Sequence, residues 1–159
     1  MSRFLCCLRK DKNIKKKVYV LKLENDRYYV GESISPDTRI QNHFKGKGSA
    51  WTRIHKPIQT LEPITHPQKD FWELSETIKL MSIYGVDNVR GSLFTKTSNL
   101  TYYEKVMAAQ LYCELNNLCR KCGGSDHYIN QCVKVNKESW VYNFGGVLEF
   151  GKVKHLTSI

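Results

Sequence analysis

Three cysteines and one histidine fall within fourteen residues as Cys119-x2-Cys122-x4-His127-x4-Cys132. Thiolates and a neutral imidazole at this spacing suit tetrahedral Zn2+, and four protein ligands leave no open position, so this ion would hold structure and perform no hydrolysis. Gly123-Gly124 permits the tight turn after the second ligand. The segment has too little apolar content to fold without its metal. Between and beside the ligands lie Arg120, Lys121 and Tyr128, two cations and one stackable ring that suit weak, sequence-tolerant nucleic-acid binding. Two further sets carry reactive types. Arg39 and His43 stand one helical turn apart, and Thr101-x-x-Glu104 places a carboxylate in the first turn of a helix, where a capping box is the plain structural reading.

The charge balance points to a polyanionic partner. Lys and Arg number 25 against 15 Asp and Glu, a formal charge of +10, and neutralised phosphates release counterions on binding such a surface. No apolar run reaches the roughly 18 residues needed to span a membrane. The elements that must position the reactive groups are legible in outline. Residues 18–23 (VYVLKL) and 27–31 (RYYVG) flank Asn25-Asp26 and predict an antiparallel hairpin. Ser35 as N-cap, Pro36 at the first helical position and Asp37 predict a short helix ending near His43 or Phe44. A lysine- and glycine-rich loop follows, with a third strand over residues 57–64. Phe71, Leu74, Ile78 and Met81 then recur at helical spacing up to Gly85, and this stripe is read as core. A last helix is predicted over residues 101–116, with Leu100, Met107 or Ala108, Leu111 and Leu115 turned inward.

Order, spacing and residue type together resemble the GIY-YIG nuclease superfamily: Lys17-Val18-Tyr19, ten residues before Tyr29-Val30-Gly31, then Arg39-x3-His43. The likeness continues through Gly48-Ser49-Ala50-Trp51-Thr52-Arg53, and Asn88-Val89-Arg90-Gly91-Ser92 is similar to versions carried by large DNA viruses. The resemblance implies divalent-metal-dependent hydrolysis of DNA, with one Mg2+ or Mn2+ held by a glutamate on a later helix; Glu104 is taken as the matching position. It makes Tyr19 the general base or the group that positions the attacking water, and Tyr29 the group that orients the phosphate or shares that role. Arg39 would stabilise charge on the pentavalent phosphorane, with His43 supporting it or assisting proton transfer. Gly31 would let the DNA backbone approach the sheet, Lys45, Lys47, Trp51 and Arg53 would contact nucleic acid, and Asn116 would help hold the substrate. Two departures stand out: Lys17 replaces the glycine of the first motif, and Glu32 follows the second.

The Cys/His segment resembles the CCHC zinc knuckle of retroviral nucleocapsids, with Arg120 and Asp126 where an aromatic and a glycine are usual. The resulting expectation is an α+β fold, a small and mainly antiparallel sheet flanked by helices, plus that C-terminal knuckle. Residues 1–16 are read as a basic tail containing Cys6 and Cys7, 17–117 as the nuclease domain, 118–133 as the knuckle, and 134–159 as a segment packing back on the domain. The expected partner is DNA, with RNA the alternative. The expected setting is a reducing intracellular compartment, cytoplasm, nucleus or a viral replication site. The rival reading is a non-cleaving nucleic-acid-binding or packaging protein that keeps the fold and the knuckle.

Overall fold

The computed structural model of the chain describes residues 16–61 and 72–133. Strands β1 (Lys17–Leu23) and β2 (Arg27–Ser33) form the expected hairpin, with Tyr19 opposite Gly31 and Leu21 opposite Tyr29. Asn25 and Asp26 both take positive φ, 59° and 51°, in a turn that these two residue types tolerate because their short polar side chains bond locally. Helix α1 (Pro36–Phe44) follows with Pro36 in its first turn. Ser35 precedes it without a side-chain cap; instead its backbone N–H donates to Ser33 Oγ at 3.0 Å. The short helix α2 (Ala50–Ile54) was not foreseen; it is capped by Ser49, whose Oγ accepts from Thr52 N.

Strand β3 (Pro57–Leu61) pairs antiparallel with β1, and the remainder of the expected third strand, residues 62–64, lies outside the described residues, as does Phe71. Helix α3 (Trp72–Tyr84) ends at Gly85, whose φ of +96° and N–H to Met81 O make the expected C-terminal cap. A two-residue strand β4 (Val89–Arg90) then joins β2 in parallel. The sheet order is β3-β1-β2-β4, so the fold is α+β with a mixed sheet whose outer pair is parallel.

Alternation along the strands divides the interior in two. Val18, Val20, Tyr28 and Val30 pack with Ile78 and Met81 of α3 and with Ala108, Ala109 and Tyr112 of α4 (Tyr102–Leu115). On the opposite face Tyr19, Leu21 and Leu23 pack with Trp51, Tyr29 and Ile40. The inward set on α4 differs from the expectation: Ala108 and Leu100 are buried, but Met107 and Leu115 face solvent, and Ala109, Tyr112 and Cys113 take their place. After α4 the chain enters the Cys/His segment. The expected packing of the last 26 residues, with Trp140, Tyr142 and Phe144, lies outside the described residues.

Candidate active site and metal centre

The side of the sheet that carries Tyr19 also receives α1 and α2, and this brings four reactive groups together. Tyr19 Oη lies 3.0 Å from His43 Nε2, and His43 Nδ1 lies 2.8 Å from Thr52 Oγ1. The Tyr29 ring is 4.8 Å from the His43 ring and 6.4 Å from that of Tyr19. Arg39 stands one turn before His43, and its charge acts on both tyrosine hydroxyls. Tyr19 and His43 are buried.

Burial governs how these groups hold their protons. It pushes the Tyr19 hydroxyl well above the ordinary phenol range, reinforced by Tyr29 and opposed by Arg39. It raises Tyr29 as well, with Glu73 adding to the rise and Ser49 and Arg39 opposing it. His43 is lowered to about 4, first by burial and then by the nearby Arg39 charge, so the imidazole is neutral at physiological pH and can accept a proton.

A carboxylate whose charge reaches this constellation is Glu73, in the first turn of α3, a residue that the sequence reading did not single out. Its charge acts on both Tyr19 and Tyr29. Its Oε1 accepts from Ser92 N at 2.9 Å, while Oε2 has no hydrogen bond among the described residues. Glu104, the expected metal ligand, has its carboxylate engaged at the start of its own helix. Its Oε2 accepts from Thr101 N at 2.7 Å, Thr101 Oγ1 at 2.6 Å and Lys96 Nζ at 3.0 Å, completing a capping box. These bonds hold its carboxyl down at about 2, and its charge is felt by Arg90.

Other expected positions divide in the same way. Lys45, Lys47 and Arg53 are exposed and available to a ligand. Trp51 is not: it is 3% exposed, donates from Nε1 to Tyr28 O at 3.2 Å, and lies under the Arg90 guanidinium at 4.4 Å and near that of Arg27 at 5.3 Å. Asn116 closes the end of α4, with Nδ2 donating to Tyr112 O at 2.8 Å. Gly31 serves the protein interior, because a Cβ there would lie against the Tyr19 hydroxyl and 2.5 Å from its Cζ. Gly48 does likewise for His43, since an added Cβ would lie against His43 Nδ1, 2.6 Å from Thr52 Oγ1 and 2.7 Å from His43 Cγ. Glu32 is paired with Lys16 at 2.7 Å, so its charge is compensated locally.

In the second centre, the ligand atoms of Cys119, Cys122, His127 and Cys132 all lie within 4.8 Å of one another. Sulfurs bound at about 2.3 Å around a tetrahedral ion stand roughly 3.8 Å apart, so the donor set fits zinc. Gly123 has φ +73° and its N–H donates to Cys119 O at 2.7 Å, which is the tight turn expected after the second ligand. His127 directs Nε2 at Cys122 Sγ, 3.3 Å away, and Nδ1 at Asp126 Oδ1, 2.7 Å away. Asp126 thus supplies the carboxylate that orients many ligating imidazoles. Arg120, Lys121 and Tyr128 are exposed around it.

Comparison with known proteins bears on the first centre. Residues 15–82 match the GIY-YIG catalytic domain. The GIY-YIG match takes in Tyr19, Tyr29, Arg39, His43, Thr52 and Glu73 and ends before Glu104. A UPF0213 protein of Neisseria meningitidis is 42% identical over 41 residues, 26% of this chain and 45% of its own length. One from Xanthomonas campestris is 36% identical over 53 residues, 33% of this chain and 50% of its own. The chain spans about half the length of the curated relatives it matches. No solved structure matches. Among the described residues no helix is long and apolar enough to cross a membrane.

Proposed function

We propose that the chain is a divalent-metal-dependent endonuclease acting on DNA, with its catalytic groups in residues 17–117 and a structural zinc in residues 118–133. The observation that carries this reading is the convergence of Tyr19, Tyr29, Arg39 and His43 on one side of the hairpin, within the influence of Glu73. Glu73 is the residue that would hold Mg2+ or Mn2+, and an oxygen-liganded hard ion there supplies polarisation of a non-bridging phosphate oxygen. Tyr19 takes a proton from the attacking water while passing its own to His43 Nε2. Burial keeps the tyrosine protonated and the imidazole neutral at rest and so opposes this transfer, and the Arg39 charge beside the tyrosine hydroxyl offsets part of that cost. Arg39 stabilises the charge that accumulates on the phosphorane, and Tyr29 orients the phosphate. The exposed Lys45, Lys47 and Arg53 draw the DNA backbone to this side of the molecule, and Arg120, Lys121 and Tyr128 add a weak second grip.

The test is cleavage by the purified full chain, with Mg2+ or Mn2+, of plasmid, hairpin and flap DNA and of a matched RNA hairpin. Metal-dependent nicking of DNA that Arg39→Ala abolishes is the expected result. Binding to all these substrates without cleavage, in either metal and over the neutral to alkaline range, would overturn the nuclease reading in favour of a binding module.

A further inference from the structure

The hydrogen bonds behind Tyr19 run in one direction, and the residue that sets the direction is Thr52. Thr52 is buried and has a single hydroxyl proton for three neighbours: His43 Nδ1 at 2.8 Å, the Ser49 main-chain oxygen at 3.1 Å and Ser49 Oγ at 3.2 Å. A main-chain carbonyl only accepts, and it lies where the Thr52 hydroxyl donates. With that proton on the Ser49 carbonyl, which also accepts the Arg53 N–H at 3.1 Å, Thr52 Oγ1 would receive from His43, so that Nδ1 would carry the hydrogen and Nε2 would present its lone pair to Tyr19. The opposite end of the chain agrees. The Arg39 cation, whose charge acts on the Tyr19 hydroxyl, disfavours a proton directed toward it and favours one directed toward Nε2.

We infer that Thr52 is a positioning residue: through the Ser49 carbonyl it fixes His43 as the Nδ1–H tautomer and so keeps Nε2 ready to receive the Tyr19 proton. The sequence of donors is Tyr19 to His43, His43 to Thr52, and Thr52 to Ser49, with the Arg39 charge at the Tyr19 end. Transfer from Tyr19 Oη to His43 Nε2 breaks one O–H bond and forms one N–H bond, leaving a phenolate beside Arg39 and an imidazolium still bonded to Thr52. The reverse tautomer would place an N–H against the Tyr19 hydroxyl and leave no base there. Gly48 belongs to the same arrangement, because a side chain at that position would enter the space between His43 and Thr52. Helix α2 therefore exists for more than packing. Its N-cap residue supplies the carbonyl and its third residue the hydroxyl.

The tautomer itself does not depend on the chain being a nuclease; its catalytic use rests on the function proposed above, and the test separates the two. Long-range proton–nitrogen correlation spectra of the full, zinc-loaded chain report which ring nitrogen of His43 is protonated. The wild type is expected to show Nδ1–H, Thr52→Ser to keep it, and Thr52→Val to lose it. Single-turnover cleavage with saturating Mn2+ should fall on the order of 100-fold in Thr52→Val, within the range of general acid–base contributions, and recover in Thr52→Ser while DNA affinity stays constant. An Nε2–H tautomer in the wild type overturns the inference, and because that spectrum needs no variant, the result holds even if Thr52→Val fails to fold. Thr52→Val with wild-type cleavage also overturns it. An Nδ1–H wild type that cleaves no nucleic acid supports the tautomer assignment and overturns only the nuclease reading.

Discussion

Glu73 and Glu104 each sit in the first turn of a helix, and replacing each by glutamine distinguishes a metal ligand from a cap. In Glu73→Gln the amide oxygen still accepts from Ser92 N, the 2.9 Å bond that ties α3 to the loop after β4, so the fold should survive. What disappears is the anionic oxygen proposed to hold the divalent ion. Polarisation of a phosphoryl oxygen by such an ion contributes several kcal/mol, and at about 1.36 kcal/mol per decade a loss of roughly 3–5 kcal/mol slows cleavage about 10²- to 10⁴-fold. Glu104→Gln weakens a helix cap worth about 1 kcal/mol and an exposed contact with Lys96 worth less, so melting should drop by roughly 4 °C while cleavage at saturating metal is unchanged. The pH dependence gives a second signature. The folded Glu104 carboxyl sits at about 2 against 4.5 in its ordinary state, held down by the Thr101 hydroxyl and amide and by Lys96. A depressed acid contributes stability that is complete above about pH 4.5 and is lost as pH falls towards 2. Glu104→Gln should flatten that part of the melting profile and Glu73→Gln should leave it in place. Single-turnover cleavage and thermal denaturation between pH 2 and 7 test both halves. Near wild-type cleavage by Glu73→Gln, or loss of cleavage in a fully folded Glu104→Gln, would refute the assignment.

Gly31→Ala should drive the Tyr19 ring from its place and cost about 1–3 kcal/mol, with disruption of the Tyr19–His43 bond visible as a changed His43 ring spectrum. Trp51→Ala should destabilise the protein by about 3–5 kcal/mol in denaturant titration; a folded variant of wild-type stability with weakened DNA binding would restore the surface role that the structure denies it. Asp126→Ala should lower zinc affinity about 10- to 100-fold in a chelator competition without changing single-turnover cleavage by zinc-loaded protein, whereas unchanged affinity would show that Asp126 does not orient His127.

What was legible in the sequence was whatever local pattern decides. The hairpin and the placement of Tyr19 and Tyr29 follow from alternation around Asn25-Asp26, and Arg39 and His43 share a face because they are four residues apart on α1. The Cys/His spacing likewise brought its four ligand atoms together. The glutamates were not legible, because an acid in a helix's first turn has the same local signature whether it caps or serves a site. Tertiary packing decides: the Glu73 carboxylate accepts from Ser92 N beyond β4, whereas that of Glu104 turns back onto Thr101 and Lys96. Trp51 misled for a similar reason. An aromatic in a basic loop has the composition of a stacking surface, and only the long-range approach of Arg90 and Tyr28 encloses it. Thr52 and Ser49 lay within the recognised segment, but their role depends on a carbonyl direction that residue types do not record.

Arg90 sets how the far edge of the sheet comes apart. Its guanidinium is fully buried and donates to the carbonyls of Val86, Asp87, Val89, Lys96 and Ser98 while resting on Trp51. A two-residue strand followed by a long loop would ordinarily fray one amide at a time. Here the carbonyls of residues 86, 87, 89, 96 and 98 cannot swing out without leaving a desolvated cation short of acceptors, so the two ends of this stretch are expected to release together. Releasing it also uncovers Trp51 on α2, the helix that holds Thr52 against His43. Amide exchange in the loop and in α2 would therefore share one opening event, and the integrity of the proton path is tied to a cation that never touches it.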